Sequence, residues 1–190
     1  MDLRLIGKPD VDKAKNLVCA LVHFEGGRFE GKTRLNKAFW RAHVYHYRRH
    51  AGLLSKYPIA RLPEGPAIDD LDDLLVILER EGRIEIQEQP KHGHIETVVV
   101  LRSAPPVLEA DEETAVREAI EWIKGKTAVQ VRDESHELSA AWRRGKNGEI
   151  IDLAFDALDR EEINALANEE KKIAENLEWA KKLIGASLGE

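Results

Sequence analysis

Cysteine is nearly absent from this sequence. Cys19 stands alone in 190 residues, so no internal disulfide can form, and a reducing cytoplasmic setting is expected. Long apolar runs are missing too. Nothing approaches the roughly 20 consecutive apolar residues that cross a bilayer, which argues against a membrane role. Met1 to Pro9 lacks the apolar core of a signal peptide. There is no internal repeat and no low-complexity stretch. Strand-like patterns are sparse, with only 83–88 and 95–101 reading convincingly as β.

What remains is a helix-rich, soluble composition, 43% hydrophobic and 34% charged, long enough for one domain with a real core plus an appended helix. Net charge is −6, unevenly spread. Residues 28–61 hold nine Lys/Arg against Glu30 alone, a net of +8. That asymmetry implies a basic face on an acidic body, or a basic helix paired internally with acidic neighbours.

Taken in order, Asp10 caps a first helix over Val11–Phe24, with Val11, Ala14, Val18, Leu21 and Val22 at helical spacing. Gly26-Gly27 stops it. Thr33 is the expected cap of a second helix running to about His50. Leu35, Phe39 and Ala42 form one stripe of it, Trp40, His43 and Tyr47 the next, and Arg34, Lys37, Arg41 and Arg48 a third. Tyr57–Pro66 reads as a proline-bracketed loop. A third helix is expected from about Ile68 to Arg80, its N-terminal dipole met by Asp69, Asp70, Asp72 and Asp73. Gly82 ends it, and 83–101 reads as a hairpin with Gln89–His94 as its loop. Helices are expected over Asp111–Lys124 and over Thr127–Arg144, the latter bent around Ser135-His136. Asp159 and Glu162 resemble a capping box opening a long final helix to about Ile184. Its stripe is interrupted by Glu170, which disfavours a long coiled coil.

The expected fold class is therefore mainly α (α+β). It comprises a single helical domain over 1–156 with a small, winged-helix-like antiparallel hairpin at about 83–101. A long C-terminal helix occupies 157–190, packed on that domain or extending from it.

Residues Gly26-Gly27-Arg28-Phe29-Glu30-Gly31-Lys32-Thr33 match the G-x-x-x-x-G-K-T phosphate loop. Such a loop needs a buried parallel strand before it and an acidic Mg²⁺ ligand after a later strand. Leu17–Phe24 could only just serve as the strand, and Asp152 or Asp156 as the acid, with no β-α alternation between. A glycine turn leading into the second helix accounts for the residues better, so no cofactor is assigned. His43, His46 and His50 share a helix face, with Cys19 and His23 on the first helix, but half-exposed histidines beside Trp40 and Tyr47 suffice and no metal is assigned. His92 and His94 decorate the hairpin tip. A triad of Ser135, His136 and Glu134 or Glu137 fails because neighbours on a helix do not face one another, and no catalytic residue is assigned.

Three ordered segments carry a resemblance. GKTRLNKAFWRAHVYH resembles the "K-T-x-L-x-K-L-L-Y-x-A-D" signature of the Panacea domain family through Leu35, Lys37, Phe39, Trp40, Ala42 and His43. PEGPAIDDLDDLLVILEREGRIE resembles that family's "Y-G-P-V" turn and "G-x-I" step through Gly65, Pro66, Leu74, Leu78, Gly82 and Ile84. KTAVQVRDESHELSAAW resembles its "S-H-x-x-x-x-W" helix through Ser135, His136 and Trp142. Trp40, His43 and Glu64 depart from the usual residues. Over roughly residues 12–145, the resemblance implies a mostly helical, non-catalytic protein-binding domain of the kind found in antitoxins and phage-associated proteins. The partner it implies is a toxin encoded nearby, neutralised by contact or delivered to a protease by adaptor action. A homodimer stays open and nucleic acid is disfavoured. The partner-binding candidates are Arg34, Lys37, Arg41, Tyr45, Arg48 and Arg49, aromatic and arginine residues being the usual interface anchors. The alternatives are a winged-helix DNA-binding regulator, weakened by an acidic third helix, and a phosphate-loop enzyme.

Overall fold

The second helix is buried on nearly every side, and the other elements are arranged around it. In a computed structural model describing residues 10–91, 93–158, 171–174 and 177, α1 (Val11–Phe24), α2 (Lys32–His50), α4 (Ala110–Ile123), α5 (Ala128–Leu138) and the short α7 (Ala154–Ala157) form the helical body. The chain divides into two units, Met1–Ala157 and Leu158–Glu190. In the second unit, 171–174 and 177 are helical. The rest of the expected final helix, Asp159 to Ile184, lies outside the described residues.

α1 starts as the sequence implies, with the Asp10 carboxylate accepting from Lys13 N at 3.0 Å. Its inner face, Leu17, Val18, Leu21 and Val22, is fully buried. α2 begins differently. Gly31, at φ 86°, is its N-cap and no side chain caps it, so Thr33 lies inside the helix. Leu35, Ala38, Phe39, Trp40, Ala42 and Val44 are all buried, because α2 contacts α1, α4, α5, α7 and the strand Gly65–Ile68. A helix packed against neighbours on this many sides is a central one.

Two antiparallel sheets complete the α+β architecture. The three-stranded sheet runs β1 (Arg28–Glu30), β5 (His94–Leu101), β4 (Ile84–Lys91), with Phe29 opposite Val99 and Ile86 opposite Val99 on the other side. The expected hairpin loop Gln89–His94 is mostly strand. Pro90 is tolerated because β4 is an edge strand. Ile86 N points outward to Glu79 Oε1 at 2.8 Å, and strand alternation puts residue 90 on the same side, where a missing N–H breaks no ladder bond.

The second sheet corrects the proline-bracketed loop. β2 (Ile59–Leu62) pairs with β3 (Gly65–Ile68) in register Ile59–Ile68. Pro58 and Pro63 lie outside the strands, while Pro66 stands in β3 opposite Arg61. Ile68 is spent on that strand, so α3 opens only at Leu71 and runs to Arg80 after Asp70 turns the chain at φ 53°. The predicted single helix 127–144 is two. Ser139 breaks it, separating α5 from α6 (Ala140–Arg144), and its hydroxyl accepts from Trp142 N at 3.0 Å. No helix among the described residues is long and apolar enough to cross a membrane.

Candidate functional site

The glycine-rich match takes a shape that a phosphate loop does not have. α1 precedes it where a strand is required, and Arg28–Glu30 form β1, antiparallel to β5. Gly31 N is used by Thr97 O at 2.9 Å, and Lys32 Nζ reaches Asp72 at 2.9 Å. Of the backbone N–H groups that would wrap a phosphate, that of Gly31 is committed to the sheet and those of Gly26 and Gly27 to carbonyls of α1, and the lysine is held by a carboxylate. Asp156, considered above as an acid for Mg²⁺, is 1% exposed and structural. It accepts from Trp40 Nε1 at 2.8 Å, Ser139 Oγ at 2.7 Å and Ala141 N at 2.8 Å, tying α2, α6 and α7 together. Burial raises its pKa against those three bonds, which favour the charged form.

The basic stripe of α2 splits. Lys37 is 1% exposed and does not belong to any surface, which corrects its place among the partner-binding candidates. At three residues from Trp40 and seven from Val44 it shares a buried face. Arg34 pairs with Glu25 at 2.8 Å and Arg49 with Glu118 at 3.3 Å. The Arg41 guanidinium lies 4.4 Å from the Tyr45 ring centroid and 5.4 Å from that of Trp122, so Tyr45 is half-buried beneath it. Arg48 donates to the Ala157 and Asp156 carbonyls at 2.9 and 3.1 Å. Much of the +8 stretch is thus met from within the fold.

The histidines also turn inward. His43 is fully buried, with Nδ1 2.9 Å from Phe39 O and Nε2 2.8 Å from Ser55 Oγ. Burial holds its pKa down at about 4, so it is neutral at physiological pH. His46 Nδ1 lies 2.8 Å from Gly52 O, and its ring is tilted 34° to that of His50, centroids 4.9 Å apart. Among the described residues no group of three or more His, Cys, Asp and Glu is placed to hold a metal.

Residues from all three ordered sequence segments meet at one point, Gly65. Lys37 arrives from α2 and donates to Pro66 O at 2.9 Å. Beside it, Asn36 Oδ1 accepts from Ile68 N at 2.9 Å, so α2 side chains complete the free edge of β3. Ser135 and His136 arrive from α5. A Cβ on Gly65 would lie 2.7 Å from Ser135 Oγ, 2.9 Å from His136 Cδ2 and 2.9 Å from Lys37 Nζ. The His136 ring stacks on Trp142, centroids 4.0 Å apart and 6° from parallel, and Trp142 Nε1 donates to Leu62 O at 2.7 Å. Burial lowers the Lys37 pKa to about 7 and also lowers that of His136.

Several polar groups of this junction are engaged within the fold. The Ser135 hydroxyl donates to Arg132 O at 2.7 Å, Glu134 pairs with Lys126, and Lys37 is sealed from solvent. Lys37, Ser135 and His136 close around the α-carbon of Gly65. Of the remaining motif positions, Leu35 and Trp40 are core, while Gly82 supplies the positive-φ turn (φ 68°) after α3. Asn36 has no place in the sequence reading, and Asp156 has one only as a possible Mg²⁺ acid, not as a buried acceptor. Neither has a local signal, since their partners lie 32 and 116 residues away. No family model, curated protein or solved structure matches this chain.

Proposed function

We propose that this chain is a non-catalytic, antitoxin-like protein-binding domain. It neutralises a partner toxin by direct contact or acts as the adaptor that presents it to a protease. The observation that carries this reading is the junction at Gly65. The segments on which the Panacea resemblance rests, far apart in sequence, supply Lys37, Gly65, Pro66, Ser135, His136 and Trp142 to one interlocked cluster. Residues matched independently and then found packed together behave as one structural motif, which supports reading them as a family signature. The same cluster is closed, which supports a role exercised through the surface and not through a reaction. The test is co-expression with the adjacent open reading frame. The neighbour's product is expected to arrest growth alone, to be silenced by this chain and to co-purify with it. A faster decay of that product when the chain is present marks the adaptor route. A harmless neighbour that does not co-purify overturns the proposal.

One observation favours a second reading. The order α1-β1-α2-α3-β4-β5 with sheet order β1-β5-β4, interrupted by β2-β3, supports a winged-helix reading. In that arrangement α3 would enter a DNA groove. Its outward face carries Asp72, Asp73 and Glu79, with Glu81 just beyond its end, all exposed, and phosphates repel such a helix. A salt-dependent shift of duplex DNA supports this alternative, and no binding at low salt removes it.

A further inference from the structure

Four cations without a carboxylate partner gather on β2, α6 and the turn after it. Arg61, Arg143, Arg144 and Lys146 form no ion pair among the described residues. Two of these guanidiniums rest on aromatic rings. Arg61 lies 4.6 Å from the Trp142 centroid and Arg144 5.1 Å from that of Phe155. Arg143 donates to the His136 carbonyl at 3.2 Å and to that of Glu137, fixing it at the end of α5. Around these cations stand exposed apolar side chains, Leu138 at 45%, Phe155 at 37% and Leu62 at 36%.

A guanidinium stacked on a ring has lost its side-chain freedom before any ligand arrives, and its N–H edge stays open for a carboxylate. Arg and Trp within a partly apolar surface are the residue types that anchor protein interfaces. We infer that the surface formed by Arg61, Trp142, Arg143, Arg144 and Phe155 is a docking site for an acidic, amphipathic segment of a protein partner. This rests on the protein-binding reading above and names the chemistry of the partner. A nucleic acid would also supply anions. However, Glu137, Glu149 and Asp152 are exposed at the border of the patch and the chain is acidic overall, at −6. A short carboxylate-bearing segment can avoid those acids, whereas a continuous polyphosphate cannot.

The test uses the full chain at low salt, titrated with a short synthetic peptide of alternating glutamate and leucine and, separately, with an oligothymidylate of equal length. Binding is followed by tryptophan emission and calorimetry. The expected result is peptide binding weakened roughly tenfold by Arg61→Ala and likewise by Arg144→Ala, the weight of one charge-assisted hydrogen bond. Arg61→Lys is expected to lose nearly as much, because lysine keeps the charge without the planar fork. Arg49→Ala on α2 is the control and leaves binding unchanged. Peptide affinity unaffected in both Arg61→Ala and Arg144→Ala overturns the inference, as does no peptide binding, or tighter binding of the oligothymidylate. If the adjacent gene product binds and its complex ignores both substitutions, the antitoxin-like reading stands and this surface is wrong. If the peptide binds as expected and the gene product does not, the surface stands and the antitoxin-like reading falls.

Discussion

Replacing Gly65 by alanine tests the junction on which the functional reading depends. The residue sits at φ +99°, where an L side chain is strained by about 1–2 kcal/mol. The added Cβ would also meet Ser135 Oγ at 2.7 Å, His136 Cδ2 at 2.9 Å and Lys37 Nζ at 2.9 Å. None of the three can move aside freely. Ser135 is held by Arg132 O, His136 is stacked on Trp142, and Lys37 is bonded to Pro66 O inside the core. Overpacking of this kind costs about 1–3 kcal/mol. The two together predict a loss of about 3 kcal/mol, and with each kcal/mol worth about 2–4 °C in a chain of this size, Tm falls by roughly 6–12 °C. Urea unfolding followed by far-UV circular dichroism measures it. Ser135→Ala in the Gly65→Ala background removes the closest contact and is expected to restore about 1 kcal/mol, leaving the backbone strain behind. A loss below about 1 kcal/mol in the single variant, or no coupling in the double one, refutes the account of a closed junction.

Three further perturbations address the buried charges and the glycine-rich segment. Lys37 titrates near 7 in the folded chain against its ordinary 10.5. As pH falls from 10.5 toward 7 only the unfolded chain gains this proton, so stability is lost across that window and levels off below it. Lys37→Met abolishes that slope, on the order of a few kcal/mol between pH 7 and 10, and unfolding curves at stepped pH that keep the wild-type slope in the variant rule this out. Asp156→Ala leaves Trp40 Nε1 and Ala141 N without an acceptor in the core and is expected to destabilise by about 3 kcal/mol with loss of near-UV tryptophan signal; a change under about 1 kcal/mol contradicts its structural role. Lys32→Ala removes only an exposed pair with Asp72 and shifts stability by less than about 1 kcal/mol. Mg-ATP that raises the wild-type Tm by several degrees and leaves Lys32→Ala unmoved would restore the phosphate-loop reading.

Local rules reached some of this structure and not the rest, and particular residues show why. The Asp10 cap and the apolar spacing from Ala14 to Val22 are contiguous signals, and α1 forms where they place it. The β2-β3 hairpin was hidden because its stability is not local. Its free edge is completed by Asn36 and Lys37 from α2, and its other edge by the bridge from Ala60 to Ile150. β1 is three residues long and exists because β5 offers it a ladder. Lys37 was misplaced on the surface since its charge outweighed its position, although Trp40 and Val44 at the same face were the available clue. The break at Ser139 follows from a carboxylate 17 residues on, in a segment whose short apolar run gave no hint of it.

Charge placement links the fold to its proposed use. A basic helix in an acidic chain invites the conclusion that its cations await a partner, yet α2 is the most enclosed helix and must satisfy its own charges. Arg34, Arg48 and Arg49 do so through Glu25, the carbonyl end of α7 and Glu118. Each such contact offsets a cation of α2, although Arg48 and Arg49 stay exposed at its C-terminal end. What stays available for recognition is therefore set by which basic residues lie on elements too short to be enclosed. α6 has five residues, two of them buried, Ala140 and Ala141, and its remaining turn faces outward. Charge counting along the sequence points to α2, whereas the surface proposed above lies on α6. Charge reversal at Arg49 is expected to act on stability through Glu118, while loss of Arg144 acts on partner affinity with little change in stability. Combined unfolding and binding measurements on the two variants separate those effects, and equal affinity losses from both would show that α2 meets the partner after all.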